Sequence, residues 1–265
     1  MNFENIFSEY GAMSILALML FSAIAGFIDS IVGGGGLIQM PGTLVILPKT
    51  PLPTVFGTNK IASLSGTSIS AYQYSKRIQF NYKLLVVVAL CAGLSSLLGA
   101  RVVSSINVNM LKPIILVILI AIAVYTFFKK DFGAAQTKDL SARKQFLYGS
   151  LIGIVVGFYD GFFGPGTGSF FVMGFVTILG FEFVKASAYS KVINCMTNFS
   201  ALIIFIKQGN YLFTIAILMA ICNITGNIIG TKLSLKKGNG FVRVFFLIIV
   251  TIMIIRYGYD VFFKK

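Results

Sequence analysis

Histidine is absent from this chain. That removes histidine-based metal ligation and a histidine proton relay from the chemistry it can do. Acidic residues are scarce, 8 against 22 Lys and Arg, and only 11% of all residues are charged. Soluble domains carry roughly 25% charged residues. The three cysteines, Cys91, Cys195 and Cys222, form no CxxC pair and sit inside apolar runs. They read as small buried hydrophobes, not as ligands or redox centres. No GxGxxG is present, and no glycine run is followed by Lys-Ser/Thr, so nucleotide binding and a built-in ATPase are not supported. The first ten residues, MNFENIFSEY, lack the positive n-region of a secretory signal peptide, and the first helix is expected to be retained.

What fills the chain instead is apolar sequence. Of the 265 residues, 57% are hydrophobic, and the mean hydropathy is +0.89. Runs at 13–28, 84–100 and 114–128 are each long enough for most of a bilayer crossing. The expected class is therefore an all-α, polytopic membrane helix bundle. The net charge of +14 is concentrated in short loops, as the positive-inside rule requires, and not in a basic domain for nucleic acid. An excess of fixed positive charge also suits an anion better than a cation.

The sequence repeats itself at an offset of 131 residues. Gly26, Phe27 and Asp29 fall on Gly157, Phe158 and Asp160, Gly33 and Gly35 on Gly164 and Gly166, and Lys60 on Lys191. Cys91 falls on Cys222, Gly99 on Gly230, Arg101 on Lys232 and Lys112 on Arg243, all without a gap. The expected organisation is a first transmembrane repeat over 1–128, a cytoplasmic linker over 129–145 and a second repeat over 146–265. Each half divides into five apolar pieces: 12–32, 37–47, 54–75, 82–104 and 110–128, then 146–163, 168–180, 184–206, 211–232 and 240–262. This predicts about eight transmembrane helices plus short half-helices.

Charge predicts how the halves lie. The N-terminal tail carries Glu4 and Glu9 and no basic residue, whereas the linker carries Lys129, Lys130, Lys138, Arg143 and Lys144. Both precede equivalent first helices. If they lie on opposite sides of the membrane, the repeats are inverted, with the linker and the 76–83 and 232–243 loops inside.

The first helix of each half is interrupted. GFIDSIVGGGGLIQMPG spans Gly26 to Gly42, and FYDGFFGPGTGSFF spans Phe158 to Phe171. Backbone that leaves a helix within a bilayer exposes groups costing several kcal/mol each in lipid. Such a break persists where it lines a cavity or lies buried in protein, and paired breaks in two repeats point to a transporter's binding site. A half-helix beginning after Gly36 or Gly168 presents free N–H groups and a partial positive charge to an anion. The simpler alternative is a flexible surface loop, which suits one copy better than two. Each break follows an aspartate, Asp29 or Asp160. That carboxylate could bind a proton or a coupling cation, accept from the glycine amides, or pair with a lysine.

A second polar cluster is FGTNKIASLSGTS, Phe56 to Ser68, with its counterpart KASAYSKVINCMTN, Lys185 to Asn198. Lys60 and Lys191 are equivalent. Alone, either could snorkel to the interface. Thr58, Asn59 and Ser63 near Lys60, and Ser187, Ser190 and Asn194 near Lys191, tilt the reading toward an oxyanion, with lysine as point charge and hydroxyls and amides holding the oxygens. The candidate substrate-binding set is Gly33, Gly34, Gly35, Gly36, Gln39, Thr58, Asn59, Lys60, Ser63, Gly164, Gly166, Thr167, Gly168, Ser169, Ser190, Lys191 and Asn194. Asp29 and Asp160 would couple or orient. No cofactor or metal is expected, and no catalytic constellation for an enzyme is evident.

GFIDSIVGGGG with GTNKIAS, duplicated as GFYDGFFGPGTGS and YSKVIN, resembles the TauE/SafE sulfite exporter family, also called the 4-toluene sulfonate uptake permease family. The resemblance covers essentially the whole chain. It implies a bacterial inner-membrane permease moving small anions such as sulfite, sulfonates or related organosulfur compounds. A passive anion channel or a small-carboxylate transporter of the same architecture remains the alternative. The partners implied are a small anionic substrate, the lipid bilayer and a proton or sodium ion, with a homodimer left open. Two positions depart from the pattern: GTNK becomes YSKV in the second half, and Gly34 becomes Pro165. The two half-sites are therefore unequal.

Overall fold

The computed structural model describes residues 10–47, 49–102 and 138–262. Among these, every regular element is a helix: α1 (Ala12–Val32), α2 (Gly36–Ile46), α3 (Leu52–Ser75), α4 (Tyr82–Val102), α5 (Ala142–Phe162), α6 (Thr167–Thr177), α7 (Phe183–Lys207) and α8 (Phe213–Phe262). The apolar piece at 110–128, the tail carrying Glu4 and Glu9, and the linker residues Lys129 and Lys130 lie outside the described residues.

Local chemistry sets the ends. Gly33 closes α1 in a left-handed conformation, φ 79°, and its amide donates to the Asp29 carbonyl at 2.7 Å. Pro51 and Pro53 open α3, where a missing amide costs nothing. Gly238, φ 72° and ψ −165°, breaks the helical geometry inside α8. That break divides α8 near the boundary expected between 211–232 and 240–262. Helix α5 begins at Ala142, so Ala142 to Gln145 belong to it and not to a linker loop.

Helices α1, α4 and α7 and the Phe213–Ile249 part of α8 are long and apolar enough to cross a membrane. These four are counted among the described residues, and the expected crossing at 110–128 lies outside them. Helices α3 and α5, with 24 and 21 residues, have sufficient length at about 1.5 Å per residue. Their polar residues lower their hydropathy: Thr58, Asn59, Lys60, Thr67 and Ser70 all turn inward on α3. The outward faces carry Leu20, Leu94, Val155 and Ile221. Apolar outside and polar inside is the arrangement a bilayer imposes. The cysteines are partly buried and form no disulfide.

Helix α2 folds back along α1: Gly35 lies on Ala25, Gln39 reaches Ser22 and Gly42 meets Phe21. Helix α6 returns along α5 in the same manner, with Gly174 on Ile152 and Leu179 near Gly149. Two helical hairpins result. Their partners are exchanged between the halves: α1 packs chiefly on α8, and α4 on α5. Helices α1 and α8 run in the same direction, Ser22 beside Met219 and Phe27 beside Gly230. So do α4 and α5, with Val88 beside Gly153 and Ala92 beside Gly157. Helices α3 and α7 run oppositely, Gly57 beside Phe205 and Ser68 beside Cys195.

Candidate functional site

The two hairpin tips touch. A Cβ built on Gly33 would collide with Gly168, and one on Gly168 would collide with Gly33, so the breaks meet glycine to glycine. Side chains pin the contact: Ser169 Oγ donates to the Val32 carbonyl at 2.9 Å, Ser187 Oγ to the Ile31 carbonyl at 2.9 Å, and Ser190 Oγ to the Gly168 carbonyl at 3.0 Å. In the second tip, Gly164 and Gly166 adopt φ 88° and 84°, and the Thr167 hydroxyl donates to the Gly164 carbonyl at 2.6 Å.

Beside the tips lie two ion pairs. Lys60 Nζ donates to Asp160 Oδ2 at 2.5 Å, and Lys191 Nζ to Asp29 Oδ2 at 3.0 Å. Each pair joins a lysine of one half to the aspartate of the other. Lys191 is fully buried and Lys60 is 7% exposed, so neither snorkels to an interface. Asp29 also accepts from Thr67 Oγ1 at 3.1 Å, a bond its counterpart lacks a threonine to repeat. Of the roles open to the aspartates, pairing with lysine is the one found. Charges withdrawn this far from water need such partners.

The pairs border a small, partly open cavity of about 40 Å³. By the usual 10–15 Å³ per water centre, that holds about three waters. Asp29, Lys60 and Asp160 line it with the glycine tips, Asn59, Ser63 and Asn194. Asn59 is held by Met40 Sδ at 3.2 Å and Thr43 Oγ1 at 3.4 Å. The enclosure thus offers cationic and amide donors around a space of oxyanion size. Among the described residues, no group of three or more His, Cys, Asp or Glu side chains could hold a metal ion.

The family model for "Sulfite exporter TauE/SafE" matches residues 18–257. The chain belongs to the TauE/SafE family. This TauE/SafE protein is 36% identical over 247 residues to a probable membrane transporter protein, ORF9, of Sinorhizobium, covering 92% of this chain and 93% of the relative. It is 31% identical to one of Haemophilus influenzae, covering 95% and 97%. It is 33% identical to the probable membrane transporter protein YfcA of Escherichia coli K12, covering 93% and 90%. No solved structure matches the chain. The resemblance read from the glycine and lysine motifs thus agrees with the family match. The chain is a multi-pass membrane transporter of that family.

The residues named from sequence in this TauE/SafE protein divide by placement. Gly33, Gly36, Gln39, Asn59, Lys60, Ser63, Gly164, Gly166, Thr167, Gly168 and Asn194 line the cavity, as do both aspartates. Gly34 packs on Ile249, and Gly35 on Ala25. Thr58 faces the α7–α8 turn, donating to the Thr54 carbonyl at 2.7 Å and accepting from the Leu212 amide at 2.9 Å. Ser169 and Ser190 brace the tips. Lys191 stands behind Asp29 without lining the cavity. Sequence reading missed Asn198, which lines the cavity and donates to Asn194 Oδ1 at 3.3 Å. Its spacing of one helical turn from Asn194 is the signal that marks it.

Proposed function

We propose that this transporter is a secondary permease for small sulfur oxyanions or sulfonates in a bacterial inner membrane. The observation that carries the reading is the pair of buried Lys–Asp contacts exchanged between halves beside touching helix breaks. An anion entering the cavity takes a carboxylate's place as partner of an ammonium. The displaced carboxylate then loses its ion partner, so anion binding and the Lys60–Asp160 contact exclude one another. Lys60 leads in this role, because it lines the cavity and Lys191 does not.

The reading of two inverted repeats is supported by helix direction. By the 131-residue offset, α1, α3 and α4 correspond to α5, α7 and α8. The correspondents α3 and α7 run oppositely, and the α1–α8 and α4–α5 partnerships are each other's counterparts. Rocking of one half against the other about the hairpin tips would expose the cavity alternately.

Saturable sulfite counterflow in proteoliposomes is the expected result, and it separates a carrier from a passive channel. Flux should be lost in Lys60→Ala with Lys191→Ala. Unchanged sulfite and sulfonate flux in that double variant would discard the assignment. In a thermal-shift panel of sulfite, sulfate, thiosulfate, taurine, sulfoacetate and small carboxylates, an anion at about 100 times its dissociation constant should stabilise the protein by about 2.7 kcal/mol. A carboxylate as the sole stabiliser would move the substrate class.

A further inference from the structure

A buried polar seam leads from the central cavity along one side of the molecule. Asn223, Asn227, Thr231 and Ser234 recur on one face of α8, and all are buried. Asn223 Nδ2 donates to Oε1 of the cavity-lining Gln39 at 3.1 Å. Asn227 Nδ2 donates to Asn223 Oδ1 at 2.8 Å. Ser70 Oγ donates to Asn227 Oδ1 at 2.7 Å and lies 2.7 Å from Thr231 Oγ1. One turn on, the Tyr74 hydroxyl donates to the Ser30 carbonyl at 2.9 Å and lies 2.8 Å from Ser234 Oγ.

A second cavity lies beside the far end of the seam, lined by chain neighbours of the seam residues. Gln73 and Leu235, chain neighbours of Tyr74 and Ser234, line an open space of about 940 Å³ between the end of α3 and the Gly238 break in α8. Lys76, Arg77, Lys232 and Lys236 line it too, against the single carboxylate of Glu182. Glu182 already accepts from Asn239 Nδ2 at 3.0 Å. Gln73 Oε1 is a buried acceptor with no hydrogen-bond partner among the described residues. Such a group is satisfied by water, which marks this wall as wet. The Gly238 break in α8 lies on the same cavity.

Helix packing does not explain the seam. The α1–α8 contact is closed by Gly26, Gly226 and Gly230, and the counterpart α4–α5 contact by Gly99, Gly157 and Gly161. Gly26 corresponds to Gly157 and Gly230 to Gly99, while Gly226 stands at the place of Ser95 and Gly161 at that of Ser30. Yet at the 131-residue offset Ser70 becomes Ala201, Tyr74 becomes Phe205 and Gln39 becomes Phe170. Asn223 becomes Ala92, and Thr231 becomes Ala100. Asn227 becomes Ser96, which donates to the Thr197 carbonyl at 2.9 Å, so the counterpart α4–α7 interface keeps one buried polar group and packs without the other five. Burying them costs desolvation that an apolar replacement avoids.

We propose that the seam between α3 and α8 is the conduit by which the anion passes between the central cavity and the basic vestibule, while the counterpart interface stays dry. The proposal rests on the transporter reading above. When the seam opens, the anion meets hydroxyl and amide donors in succession, and the four vestibule cations raise its local concentration.

The test uses thiol accessibility of the purified full chain in detergent, so that reagent reaches both ends. Cys91, Cys195 and Cys222 are first replaced by alanine. Thr231→Cys and Ala100→Cys are then compared, since both parent residues are fully buried and correspond by the repeat. The reagent is 2-sulfonatoethyl methanethiosulfonate, a small sulfonate. We expect Thr231→Cys to react on the order of tenfold faster or more, because its site opens to water more often. Equal or slower reaction overturns the conduit. If Thr231→Cys is not monodisperse, Ser234→Cys replaces it and is read identically. Sulfite flux of the Lys60→Met variant that also carries Asp160→Asn, checked for a parent-like melting temperature, separates the two levels. Lost flux with an inert Thr231→Cys removes the conduit and keeps the site, whereas unchanged flux removes the site reading itself.

Discussion

Lys60→Met alone is expected to destabilise the protein severely, whereas Lys60→Met combined with Asp160→Asn leaves it folded and unable to transport. Asp160 is only 2% exposed, and Lys60 Nζ is its ion partner at 2.5 Å. Removing one member of a buried pair typically costs about 3–5 kcal/mol, because a charge is left without compensation. That is a large share of a total stability of about 5–15 kcal/mol. Neutralising both members with similar shapes is often nearly neutral for folding. The double variant therefore separates scaffold from function. Its melting temperature in detergent should approach that of the parent, and its sulfite counterflow should be at background. Parent-like counterflow would show that the pair serves only the fold.

The second pair should respond with a different ranking. Lys191→Met leaves Asp29 with its Thr67 hydrogen bond and a side chain 13% exposed, so the loss is milder than for Lys60→Met. Asp29→Asn strands Lys191, whose side chain is 0% exposed, and is the harsher of the two aspartate changes. A melting series of the four single variants checks this order. Matching losses for Lys60→Met and Lys191→Met would refute the account of Asp29's additional support.

Helix ends and the paired breaks were legible because glycine and proline act locally. Gly33, Pro51 and Gly238 each mark a boundary that chain stereochemistry imposes wherever the segment folds. The 131-residue offset aligns Lys60 with Lys191 and Asp29 with Asp160. What it could not show is that the contacts are crossed: Asp29 meets a lysine 162 positions away, and Lys60 an aspartate 100 away. An offset says which residues are equivalent, not which of them touch. The cavity set was therefore partly visible, and Thr58, Ser169 and Ser190 were named for composition while their hydroxyls bind backbone. The α8 seam was hidden by hydropathy. Asn223, Asn227 and Thr231 sit in a run apolar enough to cross a membrane. Their signal is a difference between repeats at one-turn spacing, which is seen only when the halves are compared for mismatches.

Gly33→Ala is expected to separate the hairpin tips and abolish flux, and to cost more than Gly168→Ala. Two penalties add at Gly33. Its φ of 79° lies in the left-handed region, where a non-glycine residue costs about 1–3 kcal/mol. Its new Cβ also meets the Gly168 Cα and the Ser169 amide nitrogen, which are backbone and cannot rotate away. Overpacking of that kind typically adds about 1–3 kcal/mol. Gly168→Ala carries the collision with Gly33 but no left-handed φ. Gly34→Ala is the comparison with a side-chain collision alone, because its Cβ meets the Ile249 Cγ2 methyl at 2.7 Å and no backbone atom. Gly36→Ala tests the cavity itself: its Cβ would stand 3.2 Å from Pro165 Cα, narrowing the space with little strain. Melting temperatures should fall most for Gly33→Ala, then Gly168→Ala, then Gly34→Ala. Gly36→Ala should keep its melting temperature while losing sulfite flux. A Gly33→Ala protein that melts with the parent would mean that the tips do not touch, and the crossed ion pairs would then lose the contact that holds them in register.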